Sequence, residues 1–245
     1  MSSVTAPAGL RLHGYAVSNY FNVAHAALLE SGAPFELVEC RASQTPEFLQ
    51  SSPMGKIPVL ETTDGWIAET VAILGYIEDC YPHTRPATAF LRARQLQLIN
   101  VLQLYLELPM RSLYPGVFMG GHNSDAAIAA ARQTLDRSCA ALRQLAQPQP
   151  WLAGEQAGHA DLFAFYCLDL AERVSRHVYQ RSLLHELGLQ DWARRMARRS
   201  SSQIVLGAFA EVFGTYLAEK QAAYPHAAED LYAQSATAPA RSIRG

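Results

Sequence analysis

The sequence predicts an α/β domain followed by an all-α domain. Short strand patterns alternate with helical patterns over residues 10–81, whereas only helical patterns recur over residues 89–221. Pro82 and Pro86 lie between the two stretches and end the helical pattern before them. We therefore predict a first domain over 10–81, a linker over 82–88 and an all-helical second domain over 89–221.

The composition is typical of a soluble globular chain. Of its 245 residues 49% are hydrophobic, and the net charge of −2 gives no bulk attraction for nucleic acid or a membrane surface. No run reaches the roughly 18 apolar residues of a membrane span, and the first residues lack the features of a signal peptide. The cysteines have neither zinc-ligand nor C-x-x-C spacing, as in a reducing compartment: Cys40, Cys80, Cys139 and Cys167. We expect a cytoplasmic protein without a metal site.

Both ends of the chain are expected to lie outside the packed domains. Residues 222–245 are rich in Ala, Ser and Pro and keep no lasting period. We predict a flexible N-terminus over 1–9 and a loose tail over 222–245.

Two strands and a helix open the first domain. Leu10–Gly14 and Phe35–Glu39 have strand patterns, and an apolar helical face between them ends at Gly32. A right-handed crossover makes such strands parallel. Residues 44–50 are predicted to form a short irregular or helical connector.

A strand hairpin and a helix complete the first domain. Val59–Thr62 and 66–68 are the predicted strands, and Asp64-Gly65 supplies the positive φ angles of a tight turn. Apolar residues then recur at helical spacing, and Thr70 is the predicted N-cap. The order βαβ, connector, ββα is that of a thioredoxin-like domain.

The hairpin and the helix after it leave groups that suit one end of a peptide. Ile57-Pro58 is a candidate cis peptide, and the Ile57 backbone is free to bind an extended peptide as an added strand would. The helix start at Thr70 suits a carboxylate, and Glu69 suits an ammonium group. The alternative is an ordinary hairpin and a capped helix.

The stretch from Ser52 resembles the glutathione-binding segment of the glutathione S-transferase family. S-P-M-G-K-I-P-V-L, followed by D-G-x-x-x-E-T-x-x-I-L-x-Y-I, matches the family's N/S-P-x-G-K-V/I-P-x-L and E-S-x-x-I at several spaced positions. The family's Ser is Thr70 here, which keeps the hydroxyl. The resemblance implies the family's fold and glutathione as co-substrate. The glutathione-binding residues that it implies are Lys56, Ile57, Pro58, Glu69 and Thr70.

Ser18 stands where the chemistry of a thioredoxin-like domain is found, at the start of the first helix. Redox proteins of this plan have C-x-x-C there, whereas this chain has Ser18 and Phe21, which disfavours dithiol exchange. The resemblance implies a serine-type transferase, in which the Ser18 hydroxyl donates a hydrogen bond to the glutathione thiolate and favours that reactive form. The alternative is that Ser18 only caps its helix.

Four neighbours of Ser18 are candidates to share or replace its role. The residue after the family's serine is often Pro and is Asn19 here, and the basic K/R-V-R that usually follows is absent. S-N-Y-F-N is similar to the S-N-Y-Y-N of some bacterial members. The possible helpers at the thiol site are Tyr15, Asn19, Tyr20 and Asn22.

The second domain shows helical patterns between clear breaks. One long helix is predicted from Leu91, broken near Pro109, and a second begins at Ser124 or Asp125. Further helices are predicted around 162–174, 191–198 and 205–219.

A second motif resembles the family's helical domain. W-L-A-G-E-Q-A-G-H-A-D-L is similar to its Y/W-L-x-G-x-x-x-T-x-A-D-L, in which the hydroxyl residue and the Asp form a capping box. Gly158 replaces the hydroxyl residue here. We expect Asp161 to bond backward and to have a structural role.

The resemblance also implies a second-substrate site between the domains. The helix that lines the cleft in the family carries four candidate residues for an electrophile site: Tyr105, Arg111, Tyr114 and Phe118. Arg111 is the candidate to bind an anionic electrophile. The alternative for these residues is core and helix-end packing.

The sequence therefore predicts a cytosolic glutathione transferase that acts on a small electrophile. A homodimer and a role in detoxification are implied by the resemblance alone. One alternative is a glutathione-dependent disulfide reductase or peroxidase, in which Asn19 or Asn22 polarises the sulfur. Another is a non-catalytic scaffold on the same fold, against which the retention of Ser18, Glu69 and Thr70 argues.

Overall fold

The computed structural model describes residues 9–152 and 154–225 and Tyr232. The predicted flexible N-terminus and loose tail fall almost entirely outside these residues. Within the described ranges, no helix combines the length and apolar character needed to cross a lipid bilayer.

The first domain follows the predicted order of strands and helices. Its elements are β1 (Leu10–Gly14), α1 (Asn19–Ser31), β2 (Phe35–Glu39), α2 (Pro46–Ser51), β3 (Val59–Thr62), β4 (Gly65–Ala68) and α3 (Thr70–Cys80).

The four strands form one mixed sheet in the order β2-β1-β3-β4. β1 pairs with β2 in parallel, with Leu10 opposite Phe35, and pairs with β3 in the antiparallel sense, with Leu12 opposite Leu60. Leu12 and Leu60 are fully buried. The thioredoxin-like plan and the parallel first strands are therefore confirmed.

The hairpin segment confirms one local prediction and corrects another. The Ile57-Pro58 bond is cis, as predicted. The prediction that Thr70 caps α3 was wrong, because the Glu69 carbonyl accepts the first helical bond, from the Ile73 amide at 3.0 Å. Glu69 is the capping position, with φ 67°, and Thr70 is the first helical residue.

The second domain is helical throughout the part that the structure describes. After a 3₁₀ turn (Pro82–Thr84) come α4 (Ala89–Val101), a π-helical segment (Leu102–Glu107), α5 (Leu108–Arg111), α6 (Tyr114–Phe118), α7 (Asp125–Leu145), α8 (His159–Tyr179), α9 (Leu183–Glu186), α10 (Gln190–Ala197) and α11 (Ser200–Glu219).

The predicted break near Pro109 takes the form of the π-helical segment. Pro109 has no N–H to donate to the carbonyl of Tyr105 one turn earlier. The hydroxyl of Ser138 on α7 donates to that carbonyl instead. The long first helix of this domain therefore widens before Pro109 and continues into α5.

Asp161 fixes the start of α8, as the motif predicts. Its Oδ2 accepts from the Gly158 amide at 3.1 Å, while Oδ1 accepts from the Leu152 amide and the Trp192 indole, both at 2.8 Å. The carboxylate is fully buried. Asp161 thus joins the preceding loop, α8 and α10, which is a structural role.

The two domains pack through α1, which lies against α8 and α11. Polar contacts at their junction tie Glu30 on α1 to Arg199 at 2.9 Å, and Glu78 on α3 to His159 at 3.1 Å. Glu30 also accepts from the Ser201 hydroxyl at 2.5 Å. The cleft described next therefore has walls held by buried and half-buried pairs.

Candidate active site

A cavity of about 620 Å³ lies between the two domains. The start of α1, the turn before β3 and the start of α3 form one wall, and residues from the π-helical segment, α5, α6 and α11 form the other. Of the predicted site residues it is lined by Tyr15, Ser18, Asn19, Tyr20, Lys56, Ile57, Pro58, Glu69, Thr70, Arg111, Tyr114 and Phe118.

Ser18 caps α1 and still has a hydrogen-bond donor to offer. Its Oγ accepts from the Phe21 amide at 3.4 Å, and its backbone is extended, as at other helix N-caps. The cap uses a lone pair of the hydroxyl, whereas its O–H has no acceptor among the described residues. Because the side chain is partly exposed and lines the cavity, capping and donation to a ligand are compatible.

Thr70 and Glu69 present the start of α3 to the same cavity. The Thr70 hydroxyl donates to the carbonyl of Tyr20 at 3.5 Å, so the starts of α1 and α3 adjoin. Glu69 is exposed and has a positive φ, a conformation that costs a non-glycine residue about 1–3 kcal/mol. The first amides of α3 and its dipole suit a carboxylate.

The turn before β3 is fixed by Ser52, a residue that our sequence reasoning did not single out. Its hydroxyl donates to the Lys56 carbonyl at 2.7 Å and accepts from the Lys56 amide at 3.0 Å. Gly55 has φ 63°, and a Cβ there would lie 2.3 Å from the Ser43 carbonyl oxygen. The turn leaves the Ile57 backbone without a partner in the described chain, as an added extended peptide requires.

Asn19 lines the cavity, but its amide is already in use. Its Nδ2 donates to Glu107 at 3.1 Å and its Oδ1 accepts from Arg111 at 2.6 Å. Nδ2 also lies 3.7 Å from the Cys167 sulfur. Asn19 is only 1% exposed, so its side chain belongs to the junction with the helical domain.

Asn22 does not line the cavity. Its Nδ2 donates to the Ala16 carbonyl at 2.9 Å, and the residue is buried. The proposed helper role at the thiol site is therefore corrected for Asn22, because its amide shapes the loop before α1.

The two tyrosines near Ser18 line the cavity, and both keep their hydroxyls protonated. Burial raises the pKa of Tyr15, whose ring lies 3.5 Å from the Arg41 guanidinium carbon. Burial first and then the nearby Glu107 carboxylate raise the pKa of Tyr20 well above its ordinary value. Tyr20 donates its hydroxyl to Glu107 at 2.8 Å, so that donor is occupied.

Three of the four predicted electrophile-site residues lie together on the helical wall. Arg111 stands beside Tyr114, with its guanidinium carbon 5.1 Å from the ring centroid, and the rings of Tyr114 and Phe118 are 5.2 Å apart. Tyr105 does not join them. It is 53% exposed and lies outside the cavity. Tyr105 belongs to the π-helical segment, in which side chains follow other angles than in the α-helix that the prediction assumes.

Two charged residues of the site were missed by our sequence reasoning. Arg41, just after β2, lines the cavity beside Tyr15. Glu107 is fully buried beneath the cavity and binds Arg111. The Glu107–Arg111 spacing of four residues on a predicted helix was the available signal for that pair. Nothing in the sequence singled out Arg41.

Among the described residues, no group of three or more His, Cys, Asp or Glu side chains is arranged to hold a metal ion. All four cysteines are free thiols.

Comparison with known proteins assigns the chain to a family. Residues 12–85 match the family model for the glutathione S-transferase N-terminal domain, and residues 125–197 match the model for the C-terminal domain. A glutathione S-transferase of Pseudomonas putida is 41% identical over 171 residues, which cover 69% of this chain and 78% of that protein. A zeta-class glutathione S-transferase of Euphorbia esula is 29% identical over 174 residues, covering 66% and 77%.

Solved structures show the same fold. A glutathione S-transferase from Rhodospirillum rubrum superposes with a TM-score of 0.67 at 23% identity, covering 80% of this chain and 91% of that one. A Tau-class enzyme from mango superposes with a TM-score of 0.69 at 21% identity, covering 84% and 96%. The two family models match one domain each, and the 41% identity to the Pseudomonas putida protein extends over 69% of the chain. The chain therefore belongs to the glutathione S-transferase family.

Proposed function

We propose that this glutathione transferase uses the Ser18 hydroxyl to hold the glutathione thiolate ready for attack on an electrophile bound by the helical domain. The observation that carries the proposal is that Ser18 and Thr70 open two adjoining helices on one wall of a single cavity. Glutathione is extended from Thr70 past Ile57, so that its sulfur comes to Ser18.

The peptide part of glutathione matches the groups on the first domain. The γ-glutamyl carboxylate binds the free amides of α3, and the Thr70 hydroxyl exchanges its long 3.5 Å bond to the Tyr20 carbonyl for this charged acceptor. The ammonium group binds Glu69. The Ile57 backbone pairs with the peptide as a strand edge would. Lys56 and Arg41, both on the cavity wall, are cations that suit the glycine carboxylate.

The reaction needs the sulfur as an anion. A hydrogen bond from Ser18 and the N-terminal end of α1 both favour the thiolate, which lowers the pKa of the bound thiol. The thiolate forms a bond to the electrophilic carbon, and either a leaving group departs with its electron pair or the adduct takes up a proton. Holding the two reactants together adds to the rate.

The reductase alternative needs an amide to polarise the sulfur, and the amides are committed elsewhere. Asn19 bonds to Glu107 and Arg111, and Asn22 bonds to Ala16 from outside the cavity. The family match agrees with transfer. The scaffold alternative is opposed by the open cavity that Ser18, Glu69 and Thr70 share.

The test compares Ser18→Ala with Ser124→Ala. Ser124 caps α7 with the same geometry, accepting from the Ala127 amide at 3.2 Å, but lies outside the cavity. Ser18→Ala should raise the pKa of the bound glutathione thiol by about one to two units and lower kcat about ten- to a hundredfold. Thiolate absorbance as a function of pH measures the first effect. Equal, small effects in the two variants would reduce Ser18 to a helix cap.

A homodimer in the cytoplasm completes the proposal. Large apolar side chains are exposed on α4 and the π-helical segment, among them Phe90 at 72% and Leu104 at 48%. A second copy of the chain would cover part of this surface. Multi-angle light scattering tests the mass, and a monomer at micromolar concentration contradicts the dimer. Four free thiols agree with a reducing compartment.

A further inference from the structure

We propose that Arg111 binds a carboxylate on the electrophile, so that the preferred second substrates combine a carboxylate with an apolar, flat body. The inference rests on the proposed function, because it assigns the electrophile to the helical wall of the cavity. It adds the chemical class of the substrate and two residues, Glu107 and Asn19, that position its binding group.

The guanidinium of Arg111 is held on two sides. Its Nε donates to Glu107 Oε1 at 2.7 Å, and its Nη2 lies 2.5 Å from the same oxygen. Nη2 also donates to Asn19 Oδ1 at 2.6 Å. A planar guanidinium fixed at two of its three nitrogens has its orientation determined before any ligand arrives.

The third nitrogen of Arg111 remains available. No described residue accepts from Nη1, the side chain is 37% exposed, and the residue lines the cavity. Two N–H groups of one charged nitrogen are therefore offered to a ligand in a fixed direction. A carboxylate is a strong acceptor for such a group, because a hydrogen bond between two charged partners is about twice as strong as one between neutral groups.

The negative charge of Glu107 does not face the cavity. Glu107 is fully buried, and it accepts hydrogen bonds from Asn19 at 3.1 Å and Tyr20 at 2.8 Å in addition to those from Arg111. Its carboxylate is therefore satisfied by groups beneath the wall and acts as a positioning residue for Arg111.

The charges on the cavity wall favour an anion. The lining side chains carry four cations, Arg41, Lys56, Arg111 and Lys220, against a single carboxylate, Glu69. Arg41 lies 3.4 Å from Glu219, and Glu69 belongs to the glutathione end. On the helical wall, Arg111 and Lys220 face the second substrate without a lining acid among the described residues.

The same wall supplies an apolar surface for the body of the substrate. Arg111 is flanked by the ring of Tyr114 on this wall and by the ring of Tyr20 on α1, 5.1 and 5.0 Å from its guanidinium carbon. Beyond them the wall continues with Leu108, Phe118 and Tyr216. An aryl ring against these side chains can keep its carboxylate on Arg111 while its reactive carbon faces the first domain.

Binding of an unreactive pair of probes tests the inference without using the reaction. The probes are 3-nitrobenzoate and its methyl ester, titrated by calorimetry into enzyme saturated with S-methylglutathione. We expect the acid to bind about tenfold or more tightly than the ester. Arg111→Gln should abolish that preference, and Arg111→Lys should keep part of it. The matched control is Arg198→Gln, at an exposed arginine outside the cavity.

Arg111→Gln leaves the buried Glu107 carboxylate without its ion-pair partner, and a double variant separates that effect from the loss of the binding group. Arg111→Gln with Glu107→Gln removes both partners of the pair, and it should show the same loss of acid preference as Arg111→Gln. Equal binding of acid and ester by the unaltered enzyme, or an acid preference that survives in the double variant, overturns the inference. Because the readout is binding, a failure of Ser18→Ala to slow transfer would overturn the thiol assignment and leave this result standing.

Discussion

Nη2 of Arg111 in the helical domain donates to Oδ1 of Asn19 in the first domain over 2.6 Å. Asn19 is the residue next to Ser18 and the first residue of α1. The hydroxyl proposed to hold the thiolate is therefore one peptide bond away from a buried contact with the electrophile wall. The two walls of the candidate active site are linked beneath the cavity by Glu107, which accepts hydrogen bonds from both Asn19 and Arg111. The packing of α1 on α8 links them as well.

Glu107→Gln should weaken both the fold and the second-substrate site. Removing the charge leaves the Arg111 guanidinium without its ion-pair partner, and breaking a buried pair costs about 3–5 kcal/mol. Because the amide can still accept hydrogen bonds, we expect the free energy of unfolding, measured with urea, to fall by only about 2–3 kcal/mol. The matched control is Glu172→Gln, since Glu172 is equally buried and binds Arg176 at 2.6 Å away from the cavity. A KM for the electrophile that rises as much in the control as in Glu107→Gln would contradict the assignment.

Thr70→Val should weaken glutathione binding, whereas Thr70→Ser should not. The Thr70 hydroxyl donates over 3.5 Å to the Tyr20 carbonyl and turns to the γ-glutamyl carboxylate when glutathione binds. Valine keeps the shape but cannot make that bond, and a hydrogen bond to a charged group contributes about 1.5–3 kcal/mol. We expect Kd for glutathione to rise about ten- to a hundredfold in calorimetry. Unchanged affinity in Thr70→Val would move the carboxylate away from the start of α3.

His25 should make the protein less stable in mild acid. Burial among Phe21 and Phe35 lowers the pKa of His25 from 6.5 to about 4. Between pH 6.5 and 4 the His25 imidazole is therefore protonated in the unfolded chain but neutral in the folded chain. Because the unfolded chain binds more protons, stability falls as pH drops through this range. We expect a loss on the order of 2–3 kcal/mol over that window, measured by urea unfolding. His25→Leu should flatten this part of the profile, and an NMR titration of His25 with a midpoint near 6.5 would refute the prediction.

Glu30 should contribute a separate loss of stability at lower pH. Burial acts to raise the pKa of Glu30, but hydrogen bonds from Arg199 and Ser201 outweigh it and hold the pKa below its ordinary value of 4.5. A carboxylate with a depressed folded pKa stabilises the protein above the unfolded pKa, and that contribution is lost as pH falls through the folded value. Below about pH 5, the free energy of unfolding should therefore fall less with decreasing pH in Glu30→Gln than in the unaltered protein. Urea unfolding at a series of pH values measures this slope. An identical slope in the two proteins would show that this contact between α1 and α11 contributes little.

The sequence was a good guide wherever the determining interactions are local. The strand and helix patterns predicted all four strands and α3 to within a residue or two, and the Ile57-Pro58 turn was recognised from neighbouring residues. The cap of α3 was misplaced by one position: the Glu69 carbonyl accepts the first helical bond, and the Thr70 hydroxyl donates to the carbonyl of Tyr20, fifty residues away along the chain. Membership of the glutathione S-transferase family, predicted from spaced motifs, is confirmed.

Contacts between residues that are far apart along the chain could not be predicted from the sequence. Tyr105 was predicted in the same electrophile site as Arg111, but it lies in the π-helical segment, 53% exposed and outside the cavity. Asn19 was a candidate at the thiol site, and its commitment to Glu107 depends on a partner 88 positions away.

By itself the sequence determined the order of elements, the family and the cap of α1, because hydrophobic periodicity, turn chemistry and helix capping act within a few residues. Only the tertiary structure decided which polar groups remain unpaired in the cleft. Asn19 and Tyr20 donate to Glu107, and Asn19 accepts from Arg111. The O–H of Ser18 and the Nη1 of Arg111 have no acceptor among the residues that the structure describes. The reason is that a hydrogen bond between the two domains occupies a donor and an acceptor. A local sequence pattern does not show which donors and acceptors are occupied in this way.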